Sequence, residues 1–365
     1  MNIPFVDLKQ RYLEEKEDLN TIINDVLSSG NLILSGEVSE LEENICQYLN
    51  VKHCLTLNSG TDALMLALWS LGITKGDEVI TSTVSFIATA GSIAHVGAKP
   101  VFVNCSEDLN INIEEIEKKI TKKTKALMPV HWTGRMSDIK KLKSISDKYG
   151  LPIIEDAAQA IGSSLSGIKP GQLSRIACFS SHPLKPLNGL GDSGYLVTND
   201  TELFNKIKLY RNHGLISRDN AEIFGVNSRM DSVNAAVIKM RLKKLESIIK
   251  RRKRNIDYYR ENIKSSKFHI IPDKVGEINT YAMFVCLADD RDKLKEYLSK
   301  NGVESLIYYG NPLHKHTASQ KLKEDFKDLK YSEDICSRVL SIPFHQHLET
   351  KQLEYIANLI NNFYS

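Results

Sequence analysis

Short apolar runs alternate with amphipathic stretches through the first two thirds of the chain, and this alternation predicts the architecture. The apolar runs predict β-strands at 78–81, 100–103, 126–130, 152–155, 176–180 and 194–198. The stretches between them predict helices at 85–95, 113–120 and 137–149. Strands that are apolar along their length and separated by helices are typical of a mainly parallel sheet covered on both faces. The predicted fold class is therefore α/β.

The pattern changes in the last third of the chain. Apolar residues keep helical spacing from 232 to 263, which predicts one long helix. The rest of the chain mixes the two patterns. It predicts a strand at 281–287 and helices at 292–300 and 351–363. We therefore predict a large α/β domain over residues 1–235. A long linking helix and a smaller α+β domain are predicted over residues 236–365.

Composition argues against several classes of partner. The chain has 365 residues, 25% of them charged, and its net charge of +3 favours neither nucleic acid nor a membrane surface. The basic run 250–254 falls on the predicted long helix, where its register favours a solvated face, so no nucleic-acid partner is expected. No apolar run approaches the ~18 residues of a membrane span, and residues 1–7 show no signal-peptide pattern. We therefore expect a cytoplasmic protein without membrane contact.

Neither disulfides nor metal sites are expected. The six cysteines are dispersed without a C-x-x-C pair, which favours free thiols in a reducing compartment. Two His-x-His pairs, at 314–316 and 345–347, have a spacing that a strand can turn into metal ligands. Neither pair has a nearby acidic or cysteine partner at convincing spacing, so no metal is predicted.

Two residues at predicted strand ends indicate a specific chemistry. Lys185 follows the strand 176–180 within a turn-rich segment, and Asp156 ends another strand after Ile153 and Ile154. Sheets of this kind bind ligands beyond the carboxyl ends of their strands. Pyridoxal phosphate (PLP) chemistry requires a lysine amine that forms a Schiff base and a carboxylate that keeps the pyridinium protonated.

Seven short motifs occur in the order that one protein family shows. They are NSGTDAL (58–64), SFIAT (85–89), PVH (129–131), EDAAQ (155–159), FSSHPLK (179–185), RNHG (211–214) and NSRMD (227–231). On these motifs the chain resembles the DegT/StrS family of sugar aminotransferases over nearly its whole length. That family is a branch of the aspartate aminotransferase-like fold, PLP enzyme fold type I. The resemblance therefore implies a mainly parallel central sheet flanked by helices, together with a smaller C-terminal α+β domain.

The resemblance implies a PLP site and assigns residues to it. Lys185 would hold the cofactor, Asp156 would pair with the ring nitrogen, and Phe86 would stack on the ring. Contacts to the 3-hydroxyl and the phosphate are implied for Gln159, Gly60, Thr61 and Ser180. Asn227 matches the asparagine that reaches the partner chain's phosphate, which implies a homodimer with shared active sites.

The same residue types also have structural interpretations. Ser59 or Thr61 alone is typical of a helix cap, and so is the Asn-Ser pair at 227–228. Phe86 alone would most often be a core aromatic residue. Gln159 alone would be a loop glutamine bonded to backbone.

The candidate substrate contacts are less specific. Residue types and the resemblance favour six side chains, namely His131, His182, Arg211, Arg229, Tyr309 and His314. His182 is the best of the histidines, because it lies three residues before Lys185 on a strand-exit turn. Ser193 and Ser181 stand where the family usually has a glycine and an aromatic residue, which affects the predicted substrate pocket.

The resemblance implies amino transfer from L-glutamate to a keto sugar carried on a nucleoside diphosphate, giving an aminosugar for surface polysaccharide or another glycoconjugate. Lys185 argues against the family's dehydratases, which carry histidine at that position. A transaminase of a small phosphorylated ketone and a non-catalytic regulatory or binding protein are the alternatives. The turn around Asp192 resembles that of family members acting at C-3, which favours a 3-keto over a 4-keto sugar.

Overall fold

A sheet of seven strands lies at the centre of the computed structural model, which describes residues 1–322 and 324–365. The strands of the chain are β1 (His53–Leu57), β2 (Glu78–Ser82), β3 (Lys99–Val103), β4 (Thr124–Met128), β5 (Ile154–Asp156), β6 (Ser164–Leu165), β7 (Ile176–Ser180), β8 (Gly194–Thr198), β9 (Leu215–Ser217), β10 (Asn220–Ala221), β11 (Phe268–Ile270), β12 (Glu277–Ile278), β13 (Val285–Ala288) and β14 (Val339–Ser341). The central sheet has the order β3-β2-β4-β5-β7-β8-β1, with β4 and β5 joined by parallel bridges.

The central sheet is mainly parallel, as predicted, and β8 is the exception. It runs antiparallel to both of its neighbours, β7 and β1, whereas β2, β3, β4, β5 and β7 pair in parallel. The sequence pattern missed β1, whose residues His-Cys-Leu-Thr-Leu mix polar and apolar types without regular alternation. This strand matters for the site because its end leads directly into the turn at residues 58–61.

Helices cover both faces of the sheet. The helices of the described residues are α1 (Leu8–Ser29), α2 (Gly36–Leu49), α3 (Gly60–Ser70), α4 (Ile87–His95), α5 (Ile116–Lys119), α6 (Ile139–Tyr149), α7 (Thr201–Tyr210), α8 (Ser232–Leu242), α9 (Leu245–Asn262), α10 (Arg291–Lys300), α11 (Thr317–Gln320), α12 (Lys330–Arg338) and α13 (Thr350–Tyr364). Successive residues of β7 point to opposite faces. Ala177 and Phe179 pack in the core with α2 and α8, whereas Ile176 and Cys178 pack in the core with α3 and α7.

The prediction of one long helix over 232–263 is wrong. The chain forms α8 and α9 instead, and Lys243 and Lys244 lie between them. Apolar spacing continues across the break, so the hydrophobic pattern alone did not reveal it. The predicted strand at 281–287 is also shorter than expected, since β13 begins at Val285.

A second core lies in the C-terminal part of the chain. The antiparallel sheet β11-β13-β14 packs with α9, α10 and α13. Ile3 and Phe5 belong to this core, and Ile3 forms a parallel bridge with Val303. The division of the chain at residue 235 stays a prediction. Among the described residues, no helix is both long and apolar enough to cross a membrane, and all six cysteines are free.

Candidate active site

A cavity of about 430 Å³ lies where the central strands end and the C-terminal part of the chain packs over them. Seven of the eight predicted cofactor residues line it, and Asn227 does not. The seven are Gly60, Thr61, Phe86, Asp156, Gln159, Ser180 and Lys185. Their sequence separations are large, so the fold brings them together. The cavity is therefore the candidate active site.

The turn that begins α3 forms one end of the cavity. A Cβ on Gly60 would lie 2.7 Å from the Cβ of Ser180, and a Cβ on Gly194 would lie 2.4 Å from the carbonyl carbon of Ser59. The Ser59 hydroxyl accepts a hydrogen bond from the backbone N–H of Asp62 at 3.0 Å, so Ser59 is the helix cap. The first N–H groups of a helix lack partners within the helix and favour an anion.

Asp156 is buried at the end of β5 and is held by two donors. Its Oδ2 accepts from the Thr89 hydroxyl at 2.7 Å, and its Oδ1 accepts from the Ala158 N–H at 3.3 Å. Because Thr89 donates to Asp156, it accepts in turn from Ser85 at 2.7 Å. Burial raises the pKa of Asp156, while Thr89, Ala158 and the nearby Lys185 oppose that rise. A cationic ring nitrogen at this position would favour the ionised carboxylate.

Thr89 was missed in the sequence analysis. Its motif was recognised, but only Phe86 was assigned a role within it. Thr89 lies one helical turn after Phe86 on α4. Phe86 is the N-cap of α4 and Thr89 lies in its first turn, so the motif itself indicated that Thr89 lies near the site.

His131 lies behind Asp156 and does not line the cavity. Its Nδ1 accepts from the Ser137 N–H at 3.1 Å, so Nε2 carries a proton and donates to Glu155 at 2.7 Å. Glu155 also accepts from the Gly171 N–H at 2.7 Å. The backbone N–H of His131 donates to the carbonyl of Asp156 at 3.0 Å. The predicted substrate contact at His131 is thus corrected to a buried support for the Asp156 segment.

Lys185 projects from a tight turn after β7. Its N–H donates to the carbonyl of His182 at 2.8 Å, and the Gly189 N–H donates to the carbonyl of Ser181 at 2.7 Å. Burial lowers the pKa of the Lys185 amine to about 8, and the Asp156 charge opposes that shift. More of the amine is therefore unprotonated near neutral pH, which is the form that attacks a carbonyl.

Aromatic rings form another part of the cavity wall. Phe86 is 55% exposed, which excludes the interpretation as a core residue. Its ring centroid lies 5.9 Å from that of Tyr309, and Tyr309 lies 6.2 Å from Trp132. A flat ring inserted beside Phe86 would make the offset stacking contacts that aromatic pairs prefer.

Four of the five remaining predicted substrate contacts divide into two groups. His182 and Tyr309 line the cavity. Arg211 instead donates to Glu42 and to the Thr56 carbonyl, both at 2.7 Å, and is buried. His314 lies between the hydroxyl of Thr83 and the carboxylate of Glu333, at 2.6 and 3.0 Å, also away from the cavity. These two positions are corrected to structural roles.

Asn227 and Arg229 lie outside the cavity of their own chain. Asn227 is exposed, and Arg229 donates to the side chain of Asn212 at 2.9 Å. Both lie after the β9–β10 hairpin in the chain. Phe224, between the hairpin and Asn227, is fully exposed. Their roles stay predictions.

The cavity residues fit PLP. The Gly60 turn admits an anion only because no Cβ fills the space against Ser180. Asp156 is a buried carboxylate with room for a positive partner, and Lys185 is a buried amine in the same cavity. A lysine for the Schiff base and an acid for the pyridinium nitrogen are the groups that PLP requires of a protein.

Comparison with known proteins agrees with this geometry. Residues 13–361 match the model of the DegT/DnrJ/EryC1/StrS aminotransferase family. The "Pleiotropic regulatory protein" of Geobacillus stearothermophilus is 34% identical, over 100% of this chain and 99% of its own. The "UDP-2-acetamido-2-deoxy-3-oxo-D-glucuronate aminotransferase" of Pseudomonas aeruginosa is 35% identical, over 99% of this chain and 100% of its own.

A solved structure of the same family is closely similar. DesV of S. venezuelae, in complex with a ketimine intermediate, superposes with a TM-score of 0.97 at 34% identity, over 100% of this chain and 99% of that one. The fold class predicted from the sequence is confirmed. The chain therefore belongs to the DegT/DnrJ/EryC1/StrS family of PLP-dependent aminotransferases.

Proposed function

We propose that the chain transfers an amino group from L-glutamate to a keto sugar carried on a nucleoside diphosphate. The observation that carries the proposal is one cavity holding both Lys185, with a pKa lowered to about 8, and the buried Asp156. The name of the P. aeruginosa relative, which specifies a UDP-linked 3-oxo sugar, supports this class of acceptor. The product would be an aminosugar for surface polysaccharide or another glycoconjugate. Six free cysteines support a reducing compartment, the cytoplasm.

The cavity residues divide the work of this reaction. PLP, when bound, supplies an electron sink for the bond that breaks at the donor carbon. Lys185 would hold the cofactor before the donor arrives, and its amine would then move the proton as general base and acid. Asp156 would stabilise a positive charge on the ring nitrogen, and Phe86 would pack against the ring face. The Gly60–Thr61 turn and Ser180 would bind the phosphate.

The acceptor is predicted to be a 3-keto rather than a 4-keto sugar. Asp192 and Ser193, in the turn that resembles the C-3 enzymes, both line the cavity beside Lys185. They therefore help to set where the reacting carbon lies, within ~3–3.5 Å of the attacking nitrogen. Purified protein would be mixed with glutamate and each keto sugar nucleotide while glutamate consumption is followed. Preference for the 4-keto sugar, or for a small phosphorylated ketone, would overturn this prediction.

Activity is also predicted to need a homodimer in which Asn227 serves the partner's phosphate site. Asn227→Ala and Lys185→Ala would each give nearly inactive homodimers. In a mixed dimer, one site keeps both Lys185 and the partner's Asn227. Random mixing makes half of the dimers mixed, with one intact site of two, so about a quarter of the wild-type activity should return.

The mixing experiment has a clear contrary result. If Asn227 acted only within its own chain, every site in the mixed dimer would lack one of the two residues. Mixing would then restore nothing. Light scattering on the same samples reports the oligomeric state, and a monomer that turns over would also refute the prediction.

A further inference from the structure

Lys185 lies in an irregular loop, residues 181–193, that joins the antiparallel strands β7 and β8. Two hydrogen bonds between Ser181 and Ser193 close the base of this loop, at 2.8 and 3.1 Å. Loops of more than about 12 residues without regular structure are uncommon and are often functional. A side chain that must react at one atom needs further support in such a loop.

Helix α8 supplies this support through the guanidinium of Arg241. Its Nη1 donates to the carbonyls of Asn188 and Gly189, both at 3.0 Å. Its Nε and Nη2 donate to one carboxylate oxygen of Glu15 on α1, at 2.9 and 2.7 Å. Arg241 and Glu15 are both buried. The ion pair therefore fixes the guanidinium, and its charge strengthens the two hydrogen bonds to the loop.

Asn234 of the same helix holds the next two residues of the loop. Its amide oxygen accepts from the Leu190 N–H at 2.8 Å and from the Gly191 N–H at 3.4 Å. Its amide nitrogen donates to Asp231 at 2.9 Å. This last contact fixes the orientation of the amide, so its oxygen faces the loop.

The loop lies close enough to α8 for these contacts because residue 189 is glycine. A Cβ on Gly189 would lie only 2.6 Å from the amide oxygen of Asn234. We call Arg241 and Asn234 the α8 brace. The brace binds the backbone of residues 188–191, which begin three residues after Lys185.

The position of the α8 brace indicates a role in the chemistry of Lys185. Neither member of the brace lines the cavity, so neither binds the cofactor or a substrate directly. The amine of Lys185 has two tasks in the proposed reaction, because it first holds the cofactor and later moves a proton. Its side chain must swing between these tasks, whereas its backbone must stay in place. A fixed backbone keeps the amine within reach of the reacting atoms in both tasks.

We propose that Arg241 and Asn234 are positioning residues that hold the loop of Lys185 for its bond to PLP. The inference rests on the proposed function, since that function assigns the cofactor to Lys185. In this bond, the Nζ of Lys185 forms a C=N bond with the aldehyde carbon, and the aldehyde oxygen leaves with the two amine protons as water. A loop that is free to move makes the bond less favourable, because ordering the loop then costs conformational entropy.

The test compares the affinities of the full chain for PLP and for pyridoxamine phosphate, measured by equilibrium dialysis. Pyridoxamine phosphate carries an amine in place of the aldehyde, so it keeps the phosphate and ring contacts but forms no bond to Lys185. Arg241→Gln and Asn234→Ala should each weaken PLP binding about 10-fold, because each removes hydrogen bonds that hold the loop. The affinity for pyridoxamine phosphate should stay close to that of the wild-type protein.

Arg135→Gln is the matched control, because Arg135 is also a buried arginine that pairs with a glutamate and a backbone carbonyl. It donates to Glu277 at 2.9 Å and to the Pro272 carbonyl at 2.7 Å, and it does not line the cavity. Its two affinities should keep the wild-type ratio. Arg241→Lys keeps a charge beside Glu15 and should recover part of the PLP affinity that Arg241→Gln loses.

An equal loss of affinity for both cofactors in Arg241→Gln and Asn234→Ala would overturn the proposal, because it would show a purely structural role. Unchanged PLP affinity in both variants would overturn it too. If Arg241→Gln does not fold, Asn234→Ala decides alone. Borohydride labelling of a lysine other than Lys185 would remove the basis of the proposal. Failure to aminate any sugar nucleotide would refute the proposed function instead, since the dialysis contains no sugar.

Discussion

Replacing Lys185 with alanine is expected to abolish amino transfer while leaving the fold intact. Among the described residues, Lys185 is the only lysine that lines the cavity, and its lowered pKa of about 8 supplies the reactive amine. Loss of proton transfer alone costs about 10²- to 10⁴-fold, and loss of the covalent attachment adds to that. Turnover with glutamate and the absorbance of bound cofactor would measure both effects.

A control and a mapping experiment separate this prediction from a general loss of structure. Lys122→Ala removes an exposed lysine far from the cavity and should leave turnover unchanged. Borohydride reduction of the wild-type protein followed by peptide mapping should place the label on Lys185. Label on another lysine would show that the assignment is wrong.

Asp156→Asn is expected to lower turnover by roughly 10- to 1000-fold. An opposite charge within a few ångströms changes a pKa by about 1 to 3, so removing the carboxylate leaves the ring nitrogen less protonated. Asparagine is nearly the same size as aspartate. Its amide oxygen can still accept the hydrogen bond that the Thr89 hydroxyl donates to Asp156 at 2.7 Å in the wild-type protein. Turnover should therefore fall with little change in the midpoint of thermal unfolding.

The matched control for this variant is Asp147→Asn on α6, where the carboxylate is exposed and pairs with Lys143. It should keep full turnover. Visible absorbance and circular dichroism would show whether Asp156→Asn still binds the cofactor. Near-normal turnover of a cofactor-loaded Asp156→Asn protein would remove Asp156 from the mechanism.

Local pattern predicted most of the central sheet because its strands are apolar along their length. β7 and β8 have the predicted bounds, 176–180 and 194–198. β1 was missed because its residues are mixed in polarity. The break between α8 and α9 was missed because apolar residues continue across Lys243 and Lys244. Whether β1 joins the sheet and where α8 ends both depend on tertiary packing, which a local sequence pattern does not show.

The candidate site was predicted unevenly for a related reason. The cofactor residues belong to recognisable motifs, and seven of them line one cavity. Arg211 is buried against Glu42, which lies 169 residues earlier in the chain, and no local pattern shows such a pairing. Arg252, which also lines the cavity, was hidden within the basic run 250–254, which as a whole favours a solvated face. The helical register turns this one side chain inward while Lys253 stays exposed.

The bridge between Ile3 and Val303 has a consequence for the order in which the molecule is completed during synthesis. The Phe5 N–H donates to Glu304 at 2.7 Å, and Phe5 also lines the cavity. A ribosome adds about 5 to 20 residues per second, so it synthesises Ile3 and Val303 about 15 to 60 seconds apart. In the nascent chain, Ile3 and Phe5 therefore lack these partners while the residues of the central sheet are synthesised. The ligand cavity closes only after the C-terminal core has emerged.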